Sequence, residues 1–122
     1  MPPAWWALGL VLIAAAMALG TWAMACNRFF EGSVRIQDDV GHEVIDRGPY
    51  ARVRHPGYVG LIVLAAATPM LLLSWLAFVP AGMAAAWLVV RTALEDRFLQ
   101  ERLEGYAEYA RRVRFRLVPG VW

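Results

Sequence analysis

Charged side chains are confined to two parts of this chain, and each part follows a long stretch that has none. Residues 1–26 and 55–90 contain no Asp, Glu, Lys or Arg, whereas all 12 basic and 10 acidic residues lie within 28–54 and 91–116. A helix needs roughly 20 apolar residues to cross the hydrocarbon core of a bilayer. Two uncharged stretches of at least this length, in a chain that is 60% hydrophobic, predict an integral membrane protein.

The two uncharged stretches differ in length, and the difference predicts their structure. Residues 3–26 are long enough for a single crossing. Residues 55–90 are too long for one crossing and slightly short for two, so they predict a helical hairpin with a turn near residues 74–80. Because no basic residue precedes the first apolar run, we expect residues 1–26 to be retained rather than removed as a signal peptide.

The predicted fold is therefore an all-α integral membrane domain that covers residues 1–122. We expect an N-terminal transmembrane helix over 1–26, a polar connector over 27–55, a helical hairpin over 56–90 and cytoplasmic interfacial helices over 91–122.

Local signals refine this scheme. Within the connector, residues 34–36 and 43–45 are candidates for short extended pieces. Pro56 is typical of a first helical position, and Gly105 predicts an interruption between the last two helices.

The arginines indicate which side of the membrane the charged segments occupy. All 12 basic residues are arginine, and a single crossing followed by a hairpin places both charged segments on the same side. The positive-inside rule assigns that side to the cytoplasm. We therefore expect a bacterial inner-membrane protein with a cytoplasmic C-terminus and membrane lipids as partners. A formal net charge of +2 does not suggest nucleic-acid binding.

One group of residues able to carry chemistry lies around the start of the hairpin, between positions 48 and 60. The free backbone N–H groups of a helix start, beside Arg54 and His55, can bind an anion such as a carboxylate or phosphate. Tyr50 and Tyr58 can present their ring faces to a cation. A membrane-entry loop with interfacial side chains would account for the same residues.

Two further groups follow the hairpin. Arg91 precedes Glu95 and Asp96 by a helical turn, so it can pair with them, and such charges near lipid are costly unless paired or functional. Residues 101–113 interleave aromatic and charged side chains, a pattern that also suits a helix lying along a membrane. Headgroup-level salt bridges and an interfacial helix are the purely structural alternatives.

Several common kinds of site are not predicted. The two histidines and the single cysteine show none of the spacings of metal ligands, so we expect no metal. The sequence also has no Walker loop, no dinucleotide-binding glycine pattern and no serine nucleophile elbow.

In their order and spacing, these groups resemble the isoprenylcysteine carboxyl methyltransferase family, whose relatives include bacterial membrane methyltransferases and phospholipid N-methyltransferases. The matching positions are His42, Gly48-Pro49-Tyr50, Arg54-His55-Pro56-Gly57-Tyr58-Val59-Gly60, Glu95-Asp96, Tyr106-Ala107-Glu108-Tyr109, Arg112-Val113 and Pro119. The resemblance extends over residues 41–122. The chain departs from the family pattern in two respects: its glycine stands directly before Tyr106, and one membrane helix precedes the connector where family members generally carry more.

The resemblance implies an S-adenosylmethionine-dependent methyltransferase that acts on a lipophilic or lipidated acceptor, such as an isoprenylcysteine carboxylate or a phospholipid. It implies that Arg91 and Glu95 orient or deprotonate the acceptor. The residues that it implies for the cofactor site, at the cytoplasmic mouth of the helices, are His42, Gly48, Tyr50, Arg54, His55, Pro56, Tyr58, Gly60, Glu95, Asp96, Tyr106 and Tyr109.

Two alternative functions stay open at this point. An NADPH-dependent membrane reductase of the steroid 5α-reductase type has a similar architecture, and arginines would suit the phosphate of its cofactor. A non-catalytic membrane scaffold would keep the fold without a working site.

Overall fold

The structure, a computed structural model, describes residues 1–30 and 41–122, and its regular elements within those ranges are all helical. They are α1 (Pro3–Cys26), a 3-10 turn (Gly48–Ala51), α2 (Pro56–Leu71), α3 (Phe78–Arg102) and α4 (Tyr106–Arg112). The predicted all-α class is thus confirmed for the described residues. Residues 43–45 form no strand, and the other candidate extended piece, 34–36, lies outside the described residues.

Helices α1 and α2 lie antiparallel in close contact because glycines allow their backbones to approach. A Cβ atom added at Gly60 would lie 3.1 Å from the carbonyl oxygen of Ala16, and one added at Gly9 would lie 3.0 Å from Cβ of Met70. Small residues at such crossings are typical of helices that pack in membranes. This packing brings the start of α2 beside the last turns of α1.

Helices α2 and α3 pack against each other and are joined by a turn over residues 72–77. The predicted turn, 74–80, was placed slightly too late, because residues 78–80 already belong to α3. Pro69 lies inside α2, which continues past it to Leu71. Helix α3 extends without a break from the uncharged stretch into the charged one, so it carries Glu95 and Asp96 beyond the apolar part of the bundle. Helices α1 and α3 are each long and apolar enough to cross a membrane, and α2 is a shorter apolar helix.

The polar end of the molecule is held together by α4 and the segment that follows it. Gly105 adopts a φ of +83°, a left-handed conformation that favours glycine, and turns the chain from α3 into α4. The inward face of α4 buries Tyr106 and Tyr109 against Leu103. Beyond α4, backbone hydrogen bonds of 2.9 and 3.0 Å join residues 115 and 116 to residues 54 and 55.

Candidate functional site

A pocket of about 210 Å³ lies at the polar end of the bundle, where the end of α1, the connector, the start of α2, the later part of α3 and α4 meet. Nine of the residues predicted for the site line it. They are His42, Tyr50, Arg54, His55, Tyr58, Arg91, Glu95, Tyr106 and Tyr109. The fold therefore brings together three groups that are widely separated along the chain.

Four predicted residues lie outside the pocket lining, and three of them have a role in packing. Gly48 has a φ of +62°, and a Cβ there would lie 2.5 Å from Sγ of Cys26, so the 3-10 turn packs tightly on α1. Gly60 provides the contact between α1 and α2 described above. Pro56 is buried at the first position of α2, where its fixed φ favours the helix start.

Asp96 is the fourth predicted residue outside the pocket lining, and it is fully buried in the protein beside the pocket. Its Oδ1 accepts hydrogen bonds from Nε of Arg54 at 2.8 Å, from Nε2 of His55 at 2.9 Å and from the hydroxyl of Tyr106 at 2.9 Å. A carboxylate only accepts hydrogen bonds, so the hydrogen of a neutral His55 ring lies on Nε2 and leaves Nδ1 as an acceptor.

The second oxygen of Asp96 is equally well occupied. Oδ2 accepts from Nη2 of Arg54 at 2.7 Å, from Nε2 of Gln100 at 2.7 Å and from Nε of Arg116 at 3.1 Å. A buried charge persists only when it is paired and hydrogen-bonded, and these donors meet that requirement. Asp96 thus joins the connector, α3, α4 and the C-terminal segment around one carboxylate, a cluster that we call the Asp96 node.

Arg54 is committed to the same cluster. Besides its two bonds to Asp96, its Nη1 donates to the backbone carbonyl oxygens of Ala110 and Val113, at 3.2 and 3.1 Å. The sequence predicted that Arg54 would attract a ligand anion. In the structure, most of its donors are used to hold α4 and its end against α3.

The pocket-facing counterpart of Asp96 is its neighbour, Glu95. The hydroxyl of Tyr58 donates a hydrogen bond to Oε2 of Glu95, which connects the start of α2 to α3. Arg91 also interacts with the hydroxyl of Tyr58. A carboxylate, a phenol and a guanidinium therefore meet at one wall of the pocket, and the two residues predicted to be catalytic, Arg91 and Glu95, are both among them.

Two further tyrosines of the lining, Tyr50 and Tyr109, are held by hydrogen bonds of their own. The hydroxyl of Tyr109 donates to the backbone oxygen of Tyr50 at 2.6 Å, and Nδ2 of Asn27 donates to the hydroxyl of Tyr50 at 3.2 Å. Burial raises the pKa of Tyr50, Tyr106 and Tyr109 above the ordinary value. All three therefore remain neutral hydroxyl groups at physiological pH.

Sequence reasoning missed the aromatic and apolar part of the lining. Those residues include Phe29, Phe30, Leu61, Leu88 and Leu99, and the polar Asn27 was missed as well. The ring of Phe29 stacks on His42 with centroids 4.5 Å apart, and the ring of Phe30 lies so close to Gly57 that a Cβ there would be 2.5 Å from it. The absence of a side chain at Gly57 was the one available signal, since it indicates that something approaches the start of α2 closely.

The chain is similar to known proteins of one family. Residues 7–101 match the sequence model of the isoprenylcysteine carboxyl methyltransferase (ICMT) family. Two rice proteins, from Oryza sativa subsp. indica and subsp. japonica, are each named "Probable protein-S-isoprenylcysteine O-methyltransferase" and are 31% identical to this chain over 114 residues. The similar region covers 87% of this chain and 57% of each rice protein, so the chain spans little more than half the length of these relatives. The family match extends from α1 through most of α3, which includes most of the pocket lining, and the chain belongs to the isoprenylcysteine carboxyl methyltransferase family.

Proposed function

We propose that this protein transfers a methyl group from S-adenosylmethionine to a lipophilic acceptor at the cytoplasmic face of a membrane, with the carboxylate of an isoprenylated cysteine as the first acceptor to test. One observation carries the proposal. In a chain of this family, the pocket combines Glu95, Arg91 and Tyr58 with the N-terminus of α2, at the level where the uncharged helices end. The names of the rice relatives support this choice of acceptor.

The apolar exterior supports a membrane location. Large apolar side chains on α1 and α3 are exposed, among them Val11, Met17, Met83 and Trp87, and lipid is the solvent that such surfaces favour. In this placement α1 crosses once and α2 and α3 enter and return. The two arginine-rich segments then share the cytoplasmic side, α4 lies at the membrane surface, and the membrane is the bacterial inner membrane.

The pocket chemistry fits the cofactor. S-adenosylmethionine presents a carboxylate, an ammonium and a methyl sulfonium, and when bound it supplies an electrophilic methyl carbon. The first backbone N–H groups of α2, at Gly57 and Tyr58, have no partner within the helix and point toward a position where a carboxylate is favoured. Glu95 is an acceptor for the ammonium, and the ring of Tyr58 offers a face to the sulfonium.

The acceptor has a different route into the pocket. Leu61 and Phe30 line the pocket and are also exposed on the outside of the bundle. An apolar chain can therefore pass from the lipid into the pocket without crossing water. Arg91 also lines the pocket and is suited to hold the acceptor carboxylate close to the methyl donor.

The Asp96 node supports the site from outside it. Asp96 fixes the ring of His55 and the guanidinium of Arg54 at the start of α2. We assign it the role of a positioning residue, because all the contacts described above for its two carboxylate oxygens are made to the protein.

The test is transfer of a labelled methyl group to an isoprenylated cysteine substrate by the purified protein in lipid nanodiscs. Glu95→Gln removes the charge that faces the pocket, so we expect a loss of activity of at least about tenfold. Glu101→Gln is the matched control, because Glu101 lies on the same helix but pairs with Arg97 in an exposed position; it should retain activity. Equal activity of the wild type and Glu95→Gln would contradict the assignment.

Binding distinguishes this function from the alternatives. Calorimetry should detect S-adenosylhomocysteine and not NADPH, and Glu95→Gln should weaken that binding. Binding of NADPH alone would favour the reductase, whereas binding of neither molecule would favour a scaffold.

A further inference from the structure

The chain folds back on itself after α4, in a segment that we call the 115–122 turn. The N–H of Val118 donates to the backbone oxygen of Trp122 at 3.0 Å, and the N–H of Trp122 donates to the oxygen of Val118 at 3.1 Å. Between them, Pro119 and Gly120 occupy the two positions where a type II turn favours proline and glycine, and Gly120 has the required positive φ, +82°. The sequence of this segment thus encodes a closed turn.

Arg116 connects this turn to the Asp96 node. Its Nε donates to Oδ2 of Asp96 at 3.1 Å, and its Cζ lies 4.9 Å from the centre of the Trp122 ring, within the range of a cation–π contact. The side chain of Arg116 is 31% exposed, whereas those of Arg54 and Asp96 are 4% and 0% exposed. Arg116 therefore completes the buried cluster from its water-facing side, with its guanidinium held against the Trp122 ring.

Arg116 also contacts His55 through the backbone. Its carbonyl oxygen accepts a hydrogen bond from the N–H of His55 at 3.0 Å, and the carbonyl oxygen of Phe115 accepts one from the N–H of Arg54 at 2.9 Å. The ring of His55 bonds to Asp96, the carboxylate that the side chain of Arg116 also binds. One distant residue thus restrains both the backbone and the ring of His55.

His55 is the point where this restraint reaches the pocket. It lines the pocket and directly precedes α2, with a non-helical backbone (φ −130°, ψ 61°) and no side-chain capping bond. The first N–H groups of α2, at Gly57 and Tyr58, follow it closely along the chain, so their direction depends on its backbone angles. The lining contains no described residue of the 115–122 turn, so the turn acts on a ligand through the start of α2.

We propose that Arg116, held by Trp122, is a positioning residue for the pocket: it fixes the backbone and the ring of His55, and thereby the start of α2 that receives the cofactor. This inference rests on the proposed function, because the pocket is the one assigned there to S-adenosylmethionine. A partly exposed ion pair contributes little to stability by itself. The main effect of Arg116 is therefore on the geometry at His55 rather than on the free energy of unfolding.

Calorimetry with S-adenosylhomocysteine, on protein in lipid nanodiscs well below its unfolding temperature, tests this role. Arg116→Gln removes the cation and should weaken binding by about tenfold or more, because the start of α2 is misplaced. Arg116→Lys keeps the charge without the planar guanidinium and should recover part of the affinity. Arg114→Gln is the matched control, because Arg114 is an exposed arginine of the same segment that lies over Phe115; its affinity should stay within about twofold of the wild type.

Histidine spectroscopy supplies a readout that needs no cofactor. The chain has two histidines, so isotope-labelled histidine gives two ring resonances, which His42→Gln assigns. The His55 resonance should shift or broaden in Arg116→Gln and stay unchanged in Arg114→Gln. A wild type that binds no S-adenosylhomocysteine would contradict the proposed function, whereas an unchanged His55 resonance in Arg116→Gln would overturn the positioning role.

Trp122→Leu tests whether the ring acts through Arg116. Alone it should weaken binding by about threefold, and in the Arg116→Gln background it should have no further effect. Equal losses in both backgrounds would overturn the coupling of the two residues. A lower unfolding temperature with unchanged affinity and an unchanged His55 resonance would overturn the positioning role in favour of a purely structural one. Should Arg116→Gln fail to fold, Trp122→Leu and Arg116→Lys, which keep a cation beside Asp96, are judged by the same two readouts.

Discussion

Glu95 and Asp96 are adjacent in the sequence, and their carboxylates serve different surroundings. Successive residues of an α-helix point about 100° apart, so a pair of neighbouring carboxylates cannot share one face. Glu95 faces the pocket and meets Tyr58, whereas Asp96 is buried and holds two arginines, a histidine and a tyrosine. The pair therefore combines one residue available to a ligand with one that organises the protein.

Asp96→Asn tests the organising role. The substitution keeps the size of the side chain but leaves Arg54 and Arg116 without their counter-charge, so the free energy of unfolding should fall by about 3 kcal/mol or more. Equilibrium unfolding in mixed detergent micelles measures the change. Glu101→Gln, an exposed carboxylate on the same helix, should change it by less than about 0.5 kcal/mol. Similar losses of unfolding free energy for both variants would show that the Asp96 node stabilises the protein no more than an exposed carboxylate does.

Many residues of the pocket could be predicted from the sequence, whereas the contacts between them could not. The family resemblance implied one site that includes Tyr58, Arg91 and Glu95, and the structure brings these three side chains to one pocket. The ion pair between Asp96 and Arg54 could not be derived from the sequence, because 42 positions of the chain separate the two residues. From the sequence alone, a charged residue that binds a ligand cannot be distinguished from one that pairs with a buried charge inside the protein.

At the scale of elements, the close crossing of α1 and α2 depends on the absence of a side chain at Gly60. Gly60 faces the carbonyl of Ala16, whereas Gly82, on α3, has open space where a side chain would be. This difference separates a structural glycine from an incidental one within the same kind of apolar helix.

A matched pair of substitutions follows from that contact. Gly60→Leu must push α1 and α2 apart and should destabilise the protein by about 1–3 kcal/mol or more. Gly82→Leu adds the same side chain toward lipid and should leave stability unchanged or slightly higher, because glycine is a poor helix former. Thermal unfolding in lipid nanodiscs compares the two. Equal destabilisation would mean that the packing of α1 on α2 is looser than described.

The boundaries of the elements followed from local chemistry, and their mutual positions did not. The uncharged stretches, Pro56 and Gly105 predicted where α1, α2 and α4 begin or end to within a few residues. The placement of Phe30 over Gly57 and the pairing of residues 54 and 55 with 115 and 116 depend on contacts between distant segments. No periodic pattern records such contacts, so the apolar wall of the pocket could not be derived from the sequence.

At the scale of the whole molecule, the absence of lysine simplifies the titration of the chain at high pH. Tyrosines dominate the ionisation above pH 9 or so, since arginine stays charged. Burial raises the pKa of Tyr50, Tyr106 and Tyr109, and the charge of Asp96 adds to the effect at Tyr106. The fold thus favours the neutral form of these side chains.

This preference predicts how stability depends on alkaline pH. The contribution of these tyrosines is fully present below the ordinary tyrosine pKa of about 10 and declines as pH rises beyond it, because the unfolded chain ionises first. The near-ultraviolet absorbance of tyrosinate should show most of the four tyrosines un-ionised at pH 11 in the folded protein. Denatured protein at the same pH should show nearly complete ionisation. Matching titration curves would contradict the buried positions of these rings.

The contact between Gly48 and Cys26 has a practical consequence for anyone who handles this protein. The sulfur atom lies where a side chain at Gly48 would begin, and indole nitrogen Nε1 of Trp22 lies nearby. An alkylating reagent that reached this thiol would add bulk directly under the 3-10 turn that carries Tyr50. Routine cysteine blocking before an assay would then displace a wall of the pocket and appear as inhibition, although no reagent had entered the pocket itself.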